Sequence, residues 1–261
     1  MKYLTKEWYN KMQCTKLHSG LTIDKRSDVF SEVFYQKLSR KAREDFLKTH
    51  SILVNYEEYK KIVQGIEFMD LKEDDLRSNF ELLQESLKGM TLVEYFDYCQ
   101  NLKIKTIKGK IPKSILHKIK DIRVFSLGYV SKNVYNLLKK YCDDNNKFVE
   151  EKFDEYTKLE EETFKNDSLE FIEWSFHDAY ISCVRKNKRD IEILMDNVGS
   201  FTDKKGIIFK NCNIFLDENI EGTYWLYNEI YKIKNGYEVH ILTSYDDLRE
   251  FIVECEDIIL S

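Results

Sequence analysis

Apolar residues recur at steps of three and four along the chain as far as residue 165, which places them on single faces of α-helices. The clearest series runs from Val29 to Leu47, and another begins after Thr91. Thr91 is a suitable helix N-cap, and so is Ser131 before a longer series that ends at Phe164. These patterns predict that the first part of the chain is mostly helical.

Three details refine this helical part. Pro112 suits the first turn of a helix, and the apolar stripe that follows it predicts one helix as far as Gly128. The last helical series has a polar interruption at 143–146, so one long helix and two shorter ones both fit the pattern. Near the N-terminus, Thr5 is expected to cap a helix that carries Trp8.

After Asn166 the pattern changes to an alternation of apolar and polar residues, which is typical of β-strands. Asn235-Gly236 is the strongest hairpin signal, because both central residues of a type I′ turn need positive φ. We therefore predict that residues 223–234 pair with residues 237–243. Further strands are predicted at 179–187, 190–198, 206–216 and 249–260.

The two patterns together predict an α+β fold, with a mostly helical part at 1–165 followed by an antiparallel β-sheet or small sandwich at 166–261. The composition is that of a folded protein, since 43% of the 261 residues are hydrophobic and the chain has a single proline. The first residues lack the apolar region of a signal peptide, and no uncharged stretch reaches the length of a membrane span. We therefore expect a soluble cytoplasmic protein.

Charge is unevenly distributed along the chain. Eleven basic residues and one acidic residue lie between Lys103 and Lys140, whereas residues 169–261 contain ten basic and eighteen acidic residues, a balance of −8. The basic segment 103–140, which includes Arg123, could neutralise the phosphates of a nucleic acid. No helix-turn-helix pattern accompanies it, so solvation or pairing with acidic residues is the alternative. The acidic strand part instead favours a basic protein partner.

Motifs for the common cofactors and catalytic nucleophiles are missing from the sequence. The nine glycines form no G-x-G-x-x-G or phosphate-binding loop, and none belongs to a G-x-S-x-G elbow. The six cysteines include no C-x-x-C pair, so neither a zinc knuckle nor a disulfide framework is predicted. We expect no cofactor, and a binding role is favoured over an enzymatic one.

Two histidines are the candidates for catalysis. His177 and Asp178 open the strand part, and His240 shares a strand face with Glu238, two residues away. If His177, Asp178 and His240 converge, they could hold a metal ion that activates water for hydrolysis. The alternative is structural, because a His-Asp step at the start of a strand commonly forms a local turn.

Aromatic residues cluster around Trp225, with Tyr224 and Tyr227 on the same predicted strand. Because neighbouring residues of a strand point to opposite faces, either one set faces away from a single core or the strand is buried on both sides. Tryptophan and tyrosine are the residues that dominate protein interfaces. We therefore predict Trp225, Tyr224 and Tyr227, together with Arg123 of the basic segment, as binding residues.

Four segments taken together resemble a family of bacterial proteins catalogued as a domain of unknown function. They are Tyr3–Tyr9, Asp121–Tyr129, Phe176–Asp178 and Asn235–His240. The resemblance spans nearly the whole chain and implies a bacterial cytosolic protein, without implying an activity or a cofactor. The Phe-His-Asp opening of the strand part is also similar to sheet modules of bacterial toxin-immunity proteins. We therefore expect a protein-binding or regulatory module of immunity or adaptor type, with metal-assisted hydrolysis and nucleic-acid binding as alternatives.

Overall fold

The computed structural model describes residues 1–65, 72–165, 175–198, 200 and 202–261. Across these residues, eight α-helices precede an eight-stranded antiparallel sheet, which confirms the predicted α+β fold class. The chain divides into two compact units. The helical unit is Lys16–Cys142, and the strand unit combines Met1–Thr15 with Asp143–Ser261. The predicted change of pattern at Asn166 lies outside the described residues.

The helices of the described residues largely follow the predicted series. They are α1 Lys6–Met12, α2 Glu32–Thr49, α3 Tyr56–Gln64, α4 Glu73–Ser86, α5 Leu92–Lys110, α6 Lys113–Leu116, α7 Ile122–Ser126 and α8 Lys132–Phe164. Two short 3-10 helices lie at Lys25–Asp28 and Ser51–Leu53. The apolar pattern does not predict helix α3, because the apolar face of this helix is short. None of the described helices is both long enough and apolar enough to span a membrane.

The prediction of one helix after Pro112 is wrong, because two short helices, α6 and α7, occupy this segment. Asp121 interrupts the helical conformation with an extended backbone, at φ −139° and ψ 109°. Its carboxylate accepts a hydrogen bond from the N–H of Arg123, so Asp121 is the N-cap of a new helix. Capping at Asp121 therefore overrides the continuous apolar stripe from which a single helix is predicted.

Two other predicted caps are confirmed. Thr91 forms a capping box with Glu94 at the start of α5, in which the Glu94 carboxylate accepts the N–H of Thr91 at 2.8 Å. The hydroxyl of Ser131 accepts the N–H of Val134 at 3.3 Å where α8 begins. Helix α8 continues through 143–146 without a break. The polar interruption at these positions is therefore part of a single long helix.

The helical unit is held together by small apolar clusters between its helices. One stripe of α8 buries Val134, Leu138 and Cys142 against residues of α6 and α7. A second cluster joins Phe34 of α2 to Val124 of α7. A short parallel pair, β1 Thr22–Ile23 with β2 Tyr129–Val130, lies in the same unit. These clusters fix the positions of α2 and α7 relative to each other.

The main sheet lies in the strand unit and has eight strands. They are β3 Tyr180–Asn187, β4 Asp190–Asp196, β5 Gly206–Lys210, β6 Asn213–Asp217, β7 Tyr224–Ile233, β8 Gly236–Ser244, β9 Leu248–Cys255 and β10 Asp257–Leu260. All neighbours are antiparallel, in the order β10-β5-β4-β3-β7-β8-β9-β6. The predicted strands match these closely, except that 206–216 and 249–260 are each divided in two.

The two divided strands bend together, and this bend closes the sheet. Asn211 between β5 and β6 has a φ of 50°, in the left-handed region that asparagine tolerates. The pairing continues across the bend, with Lys210 opposite Asp257 and Asn213 opposite Glu254. Strands β5 and β6 lie near opposite ends of the strand order, where β5 pairs with β10 and β6 pairs with β9. Because β5 continues into β6 and β9 continues into β10, these two pairings bring the ends of the order together. The sheet therefore curls on itself and encloses a core.

The enclosed core is apolar and is built from alternate residues of the strands. On β4, Ile191, Ile193 and Met195 are buried in it, as the alternation predicts. Other buried members are Phe176, Ile181, Ile207, Phe209, Ile220, Trp225, Val239, Ile241, Phe251 and Val253. Complete burial of one such side chain contributes about 1.5–3 kcal/mol. The curled sheet is therefore the main source of stability in the strand unit.

The predicted hairpin between β7 and β8 is confirmed, but its turn lies one residue earlier than predicted. Ile233 is opposite Gly236, so Lys234 and Asn235 form the turn. Neither of these two residues has a positive φ, whereas Gly236 has a φ of 130°. The prediction of a type I′ turn centred on Asn235-Gly236 is therefore wrong. Glycine is required at 236 because a Cβ there would collide with the carbonyl oxygen of Cys255.

We expect Gly236→Ala to lower the free energy of unfolding by about 3 kcal/mol, because alanine adds both backbone strain and this collision. Urea denaturation followed by circular dichroism measures the loss. Gly109→Ala in α5 is the control, because a Cβ there meets nothing within 4 Å. It should be neutral or stabilise the protein by up to about 1 kcal/mol. Equal effects of the two substitutions would contradict the described hairpin.

Candidate functional site

A buried carboxylate, that of Glu229, lies at the centre of the outer face of β7, the face opposite the enclosed core. It accepts hydrogen bonds from the backbone N–H groups of Lys2 and Tyr3, each at 2.7 Å, and from that of Leu4. The hydroxyl of Tyr231 donates to the same carboxylate at 2.6 Å. Four donors therefore replace the water that Glu229 loses on burial, and they attach residues 2–4 to the sheet.

Helix α1 continues from this attachment and covers part of the same sheet face. The hydroxyl of Thr5 accepts the N–H of Trp8 at 3.1 Å, which confirms the predicted cap. Trp8 is buried, and its indole N–H donates to the carbonyl oxygen of Val149 on α8 at 3.0 Å. Its ring meets that of Tyr227 edge-on, with the centroids 4.9 Å apart. Tyr227, a predicted binding residue, therefore packs beneath α1.

Helix α8 adds a second polar contact to this face of β7. The hydroxyl of Tyr156 accepts the backbone N–H of Ile230 at 3.0 Å and donates to the carboxylate of Glu160 at 2.8 Å. Burial raises the pKa of Tyr156, and it also raises the pKa of Glu160. Tyr156 therefore joins α8 to β7 through its hydroxyl, which pairs with both Ile230 and Glu160.

His240 lies opposite Glu229 on β8, on the same face of the sheet. Its Nε2 atom is 2.6 Å from the Glu238 carboxylate, and its Nδ1 atom is 3.7 Å from the Glu229 carboxylate. Burial lowers the pKa of His240, although the two carboxylates act in the opposite direction. Lys2 in turn forms an ion pair with Glu238 at 3.1 Å and lies over the Tyr231 ring. His240 is thus a buried member of the network that holds residues 2–4.

His177 and Asp178 form a local pair at a turn. Asp178 has a φ of 66°, and its carboxylate is 3.1 Å from Nδ1 of His177. The His177 ring contacts that of Tyr227 edge-on, at 5.2 Å between centroids. Over the described ranges of the chain, no three His, Cys, Asp or Glu side chains are placed to share a metal ion. The three catalytic candidates His177, Asp178 and His240 are therefore not gathered into one such group.

Trp225 is completely buried and belongs to the enclosed core of the sheet. Its ring packs on that of Phe176, at 5.3 Å between centroids, and its indole N–H donates to the side chain of Asn228 at 3.2 Å. The prediction that Trp225 lies at a partner-binding surface is therefore wrong. The reason is that a curled sheet has an inner face, and Trp225 points to it.

Tyr224 points to the outer face of the sheet, opposite to Trp225, and is exposed. Together with two other exposed tyrosines it forms what we term the tyrosine patch: Tyr180, Tyr224 and Tyr245. These residues are 37%, 42% and 64% exposed. Tyr180 lies opposite Tyr224 in the pairing of β3 with β7, at 5.3 Å between ring centroids. Tyr245 follows β8 and stacks on Tyr224, with the centroids 6.3 Å apart and the planes within 9°. The patch is thus a continuous row of exposed rings.

Acidic side chains flank both ends of the tyrosine patch. Asp196 on β4 is the direct partner of Tyr180 across the strands, so the two side chains lie on the same face. Asp246 and Asp247 follow Tyr245 in the sequence, and Asp247 pairs with Arg249 at 3.1 Å. Tyr180 and Tyr245 are missing from the predicted binding residues. Only the pairing of strand ends shows that they lie beside Tyr224.

Arg123, the remaining predicted binding residue, lies in the helical unit and is held by two carboxylates. Its Nη2 atom is 2.8 Å from a carboxylate oxygen of Asp121 and 2.8 Å from one of Glu32. Hydrogen bonds to these two groups raise the pKa of Arg123. Its guanidinium carbon lies 4.1 Å from the centroid of the Tyr35 ring. Arg123 is therefore fixed in position, and nucleic-acid binding by segment 103–140 stays a prediction.

These observations define an α+β protein with a curled antiparallel sheet and an exposed aromatic patch on that sheet. A family model described as Protein of unknown function (DUF4085) matches residues 53–253, and the chain belongs to this family. The match confirms the family resemblance drawn from the sequence. No curated protein and no solved structure matches the chain. The similarity of the strand part to toxin-immunity proteins stays a prediction.

We expect Glu229→Gln to lower the free energy of unfolding by about 2–4 kcal/mol, because an amide cannot accept hydrogen bonds on both sides from buried N–H groups. Chemical denaturation followed by tryptophan fluorescence measures this loss. Glu254→Gln is the control, since Glu254 on β9 is partly exposed and should respond by no more than about 0.5 kcal/mol. A Glu229→Gln protein as stable as the control would contradict the attachment of residues 2–4.

Acidification should destabilise the protein through His240. The unfolded chain takes up this proton at about pH 6.5, whereas burial makes the folded chain take it up only at lower pH. Because the unfolded state then binds more protons, stability falls as the pH falls below about 6.5. Urea midpoints at a series of pH values should fall less steeply for His240→Gln than for the unsubstituted protein. Parallel profiles would show that His240 does not titrate in this way.

Proposed function

We propose that this protein is a protein-binding module, and that its tyrosine patch binds a basic segment of a partner protein. The observation that supports this proposal is the continuous row formed by Tyr180, Tyr224 and Tyr245, exposed on a sheet and bordered by carboxylates. Aromatic faces attract lysine and arginine side chains through cation–π interactions. Asp196 at one end and Asp246 at the other add charge of the sign that a basic segment requires.

The patch is also well suited to binding because its rings are already ordered. Tyr180 and Tyr224 are held at paired positions of neighbouring strands, and Tyr245 stacks on Tyr224. A tyrosine has two side-chain torsions, so it loses less entropy on binding than a long flexible side chain does. Rings that are ordered before the partner arrives reduce the cost of association further. The patch therefore offers a preformed surface.

The charge of the surrounding chain favours the same class of partner. Residues 169–261 carry an excess of eight acidic residues over basic ones. Such a field raises the rate at which a basic partner arrives, and added salt weakens this effect. An immunity-type or adaptor protein would use a surface of this kind. Metal-assisted hydrolysis by His177, Asp178 and His240 has less support, because His177 and Asp178 pair with each other whereas His240 pairs with Glu238.

A fluorescein-labelled hexa-arginine peptide tests the proposal by fluorescence anisotropy at low salt. We expect saturable binding that weakens about tenfold in the double variant Tyr224→Ser, Tyr245→Ser, because two cation–π contacts are lost. A glycine-serine peptide of the same length should not bind.

Phe215→Ser provides a matched control, because Phe215 on β6 is also an exposed ring of the strand unit, at 59% exposure, and lies outside the patch. It should bind the peptide as the unsubstituted protein does. Equal affinity of the double variant and the unsubstituted protein would overturn the proposal. So would an equal loss in Phe215→Ser, because the loss of affinity would then not be specific to the patch.

A further inference from the structure

A cleft of about 400 Å³ lies within the helical unit, between α2, α5 and α7. Helix α2 lines it with Tyr35, Ser39 and Arg43, which are four residues apart and so share one helix face. Helix α5 contributes Gln100, and α7 contributes Arg123. The volume lies within the range of pockets that hold small molecules. The lining is therefore set by regular helix geometry, and it contains two guanidinium groups.

The first guanidinium, that of Arg43, has a donor atom that makes no hydrogen bond to the described residues. Its Nη2 atom is 3.1 Å from the Asp97 carboxylate. Its Nε atom is buried and has no hydrogen-bond partner among the described residues. A buried donor without a partner costs about 1–3 kcal/mol, so such a group is a natural position for a ligand acceptor. Arg43 therefore presents a free donor beside a carboxylate that is already engaged.

The second guanidinium, that of Arg123, is held rigidly beside the cleft. Its Nε and Nη2 atoms are occupied by Asp121 and Glu32, and its plane rests on Tyr35. Its Nη1 atom has no partner in the described part of the chain, so two N–H donors remain. Because the other half of the group is fixed, these donors need no reordering when a ligand binds.

Neutral polar groups complete the lining with further donors. The hydroxyl of Ser126 is 3.4 Å from Oε1 of Gln100, which leaves the Nε2 donors of Gln100 unused. Ser39 is largely buried and also lines the cleft. Asn101 lies next to Gln100 on the same wall. Apart from the Asp97 carboxylate, which pairs with Arg43, the charged groups of the lining are the two guanidiniums, and Gln100 adds a neutral donor.

We propose that this cleft binds a small organic anion through a carboxylate or phosphate group, with Arg43 and Arg123 as its charged contacts. Guanidinium groups match the planar, two-oxygen geometry of carboxylates and phosphates. The proposal is independent of the tyrosine patch, because the cleft lies wholly in the helical unit. A small anion and a basic partner protein would thus occupy different units of one chain.

Isothermal titration of the full chain with inorganic phosphate and with citrate tests the cleft, with KCl of the same ionic strength in the reference samples. We expect saturable binding of at least one of the two probes. Arg43→Gln should weaken it about tenfold or more, because one of two charge-assisted contacts is lost. Arg40→Gln is the matched control, as Arg40 is an exposed arginine of the same helix outside the cleft lining, and it should leave binding unchanged.

Asn101→Asp gives a second variant that does not depend on the fold tolerating the loss of Arg43. The substitution replaces the side-chain amide of an exposed residue with a carboxylate and so places a negative charge in the cleft. It should therefore also weaken anion binding about tenfold or more. Circular dichroism checks that each variant is folded. No saturable binding of phosphate or citrate, or equal affinity in Asn101→Asp, Arg40→Gln and the unsubstituted protein, would overturn the proposal.

Discussion

The burial of the Glu229 carboxylate is the constraint on which the strand unit depends. A buried charge is tolerated only where hydrogen bonds replace its water, and Glu229 obtains them from residues 2–4 and from Tyr231. The hydrogen bond from Lys2 to Glu229 joins positions 227 residues apart in the sequence. Because α1 follows directly, this attachment also places Trp8 over Tyr227. The start of the chain is therefore part of the strand unit and not of the helical unit.

The covering of this sheet face explains which aromatic residues are available to a partner. Helix α1 buries part of Tyr227, and the curl of the sheet buries Trp225 completely. Tyr224 lies near the end of β7, beyond this covered region, and stays exposed beside Tyr180 and Tyr245. The binding surface that we propose is thus the part of the aromatic strand that neither the core nor α1 occupies.

Local patterns in the sequence predict the elements well, because periodicity and capping act over a few residues. The strands from β3 to β10 follow from alternation, and α5 follows from its cap at Thr91. Three features do not follow from these local patterns: the bend at Asn211, the helix cap at Asp121 and the inner position of Trp225. Each depends on strand pairing or on capping that the apolar pattern does not encode. The turn predicted at Asn235-Gly236 places Tyr231 opposite His240, whereas the observed register places Glu229 there, so the sequence does not reveal Glu229. Its partners at residues 2–4 lie too far away in the sequence for any pattern to indicate them.

If a basic segment binds at the tyrosine patch, the NMR signals of the tyrosine rings must respond to it. The chain has 17 tyrosines, and ¹³C labelling of their rings allows each one to be followed by NMR during titration with the hexa-arginine peptide. We expect saturable shifts at Tyr180, Tyr224 and Tyr245, with little change at the covered Tyr227. Shifts that are absent from these three rings, or that are spread evenly over all tyrosines, would contradict it.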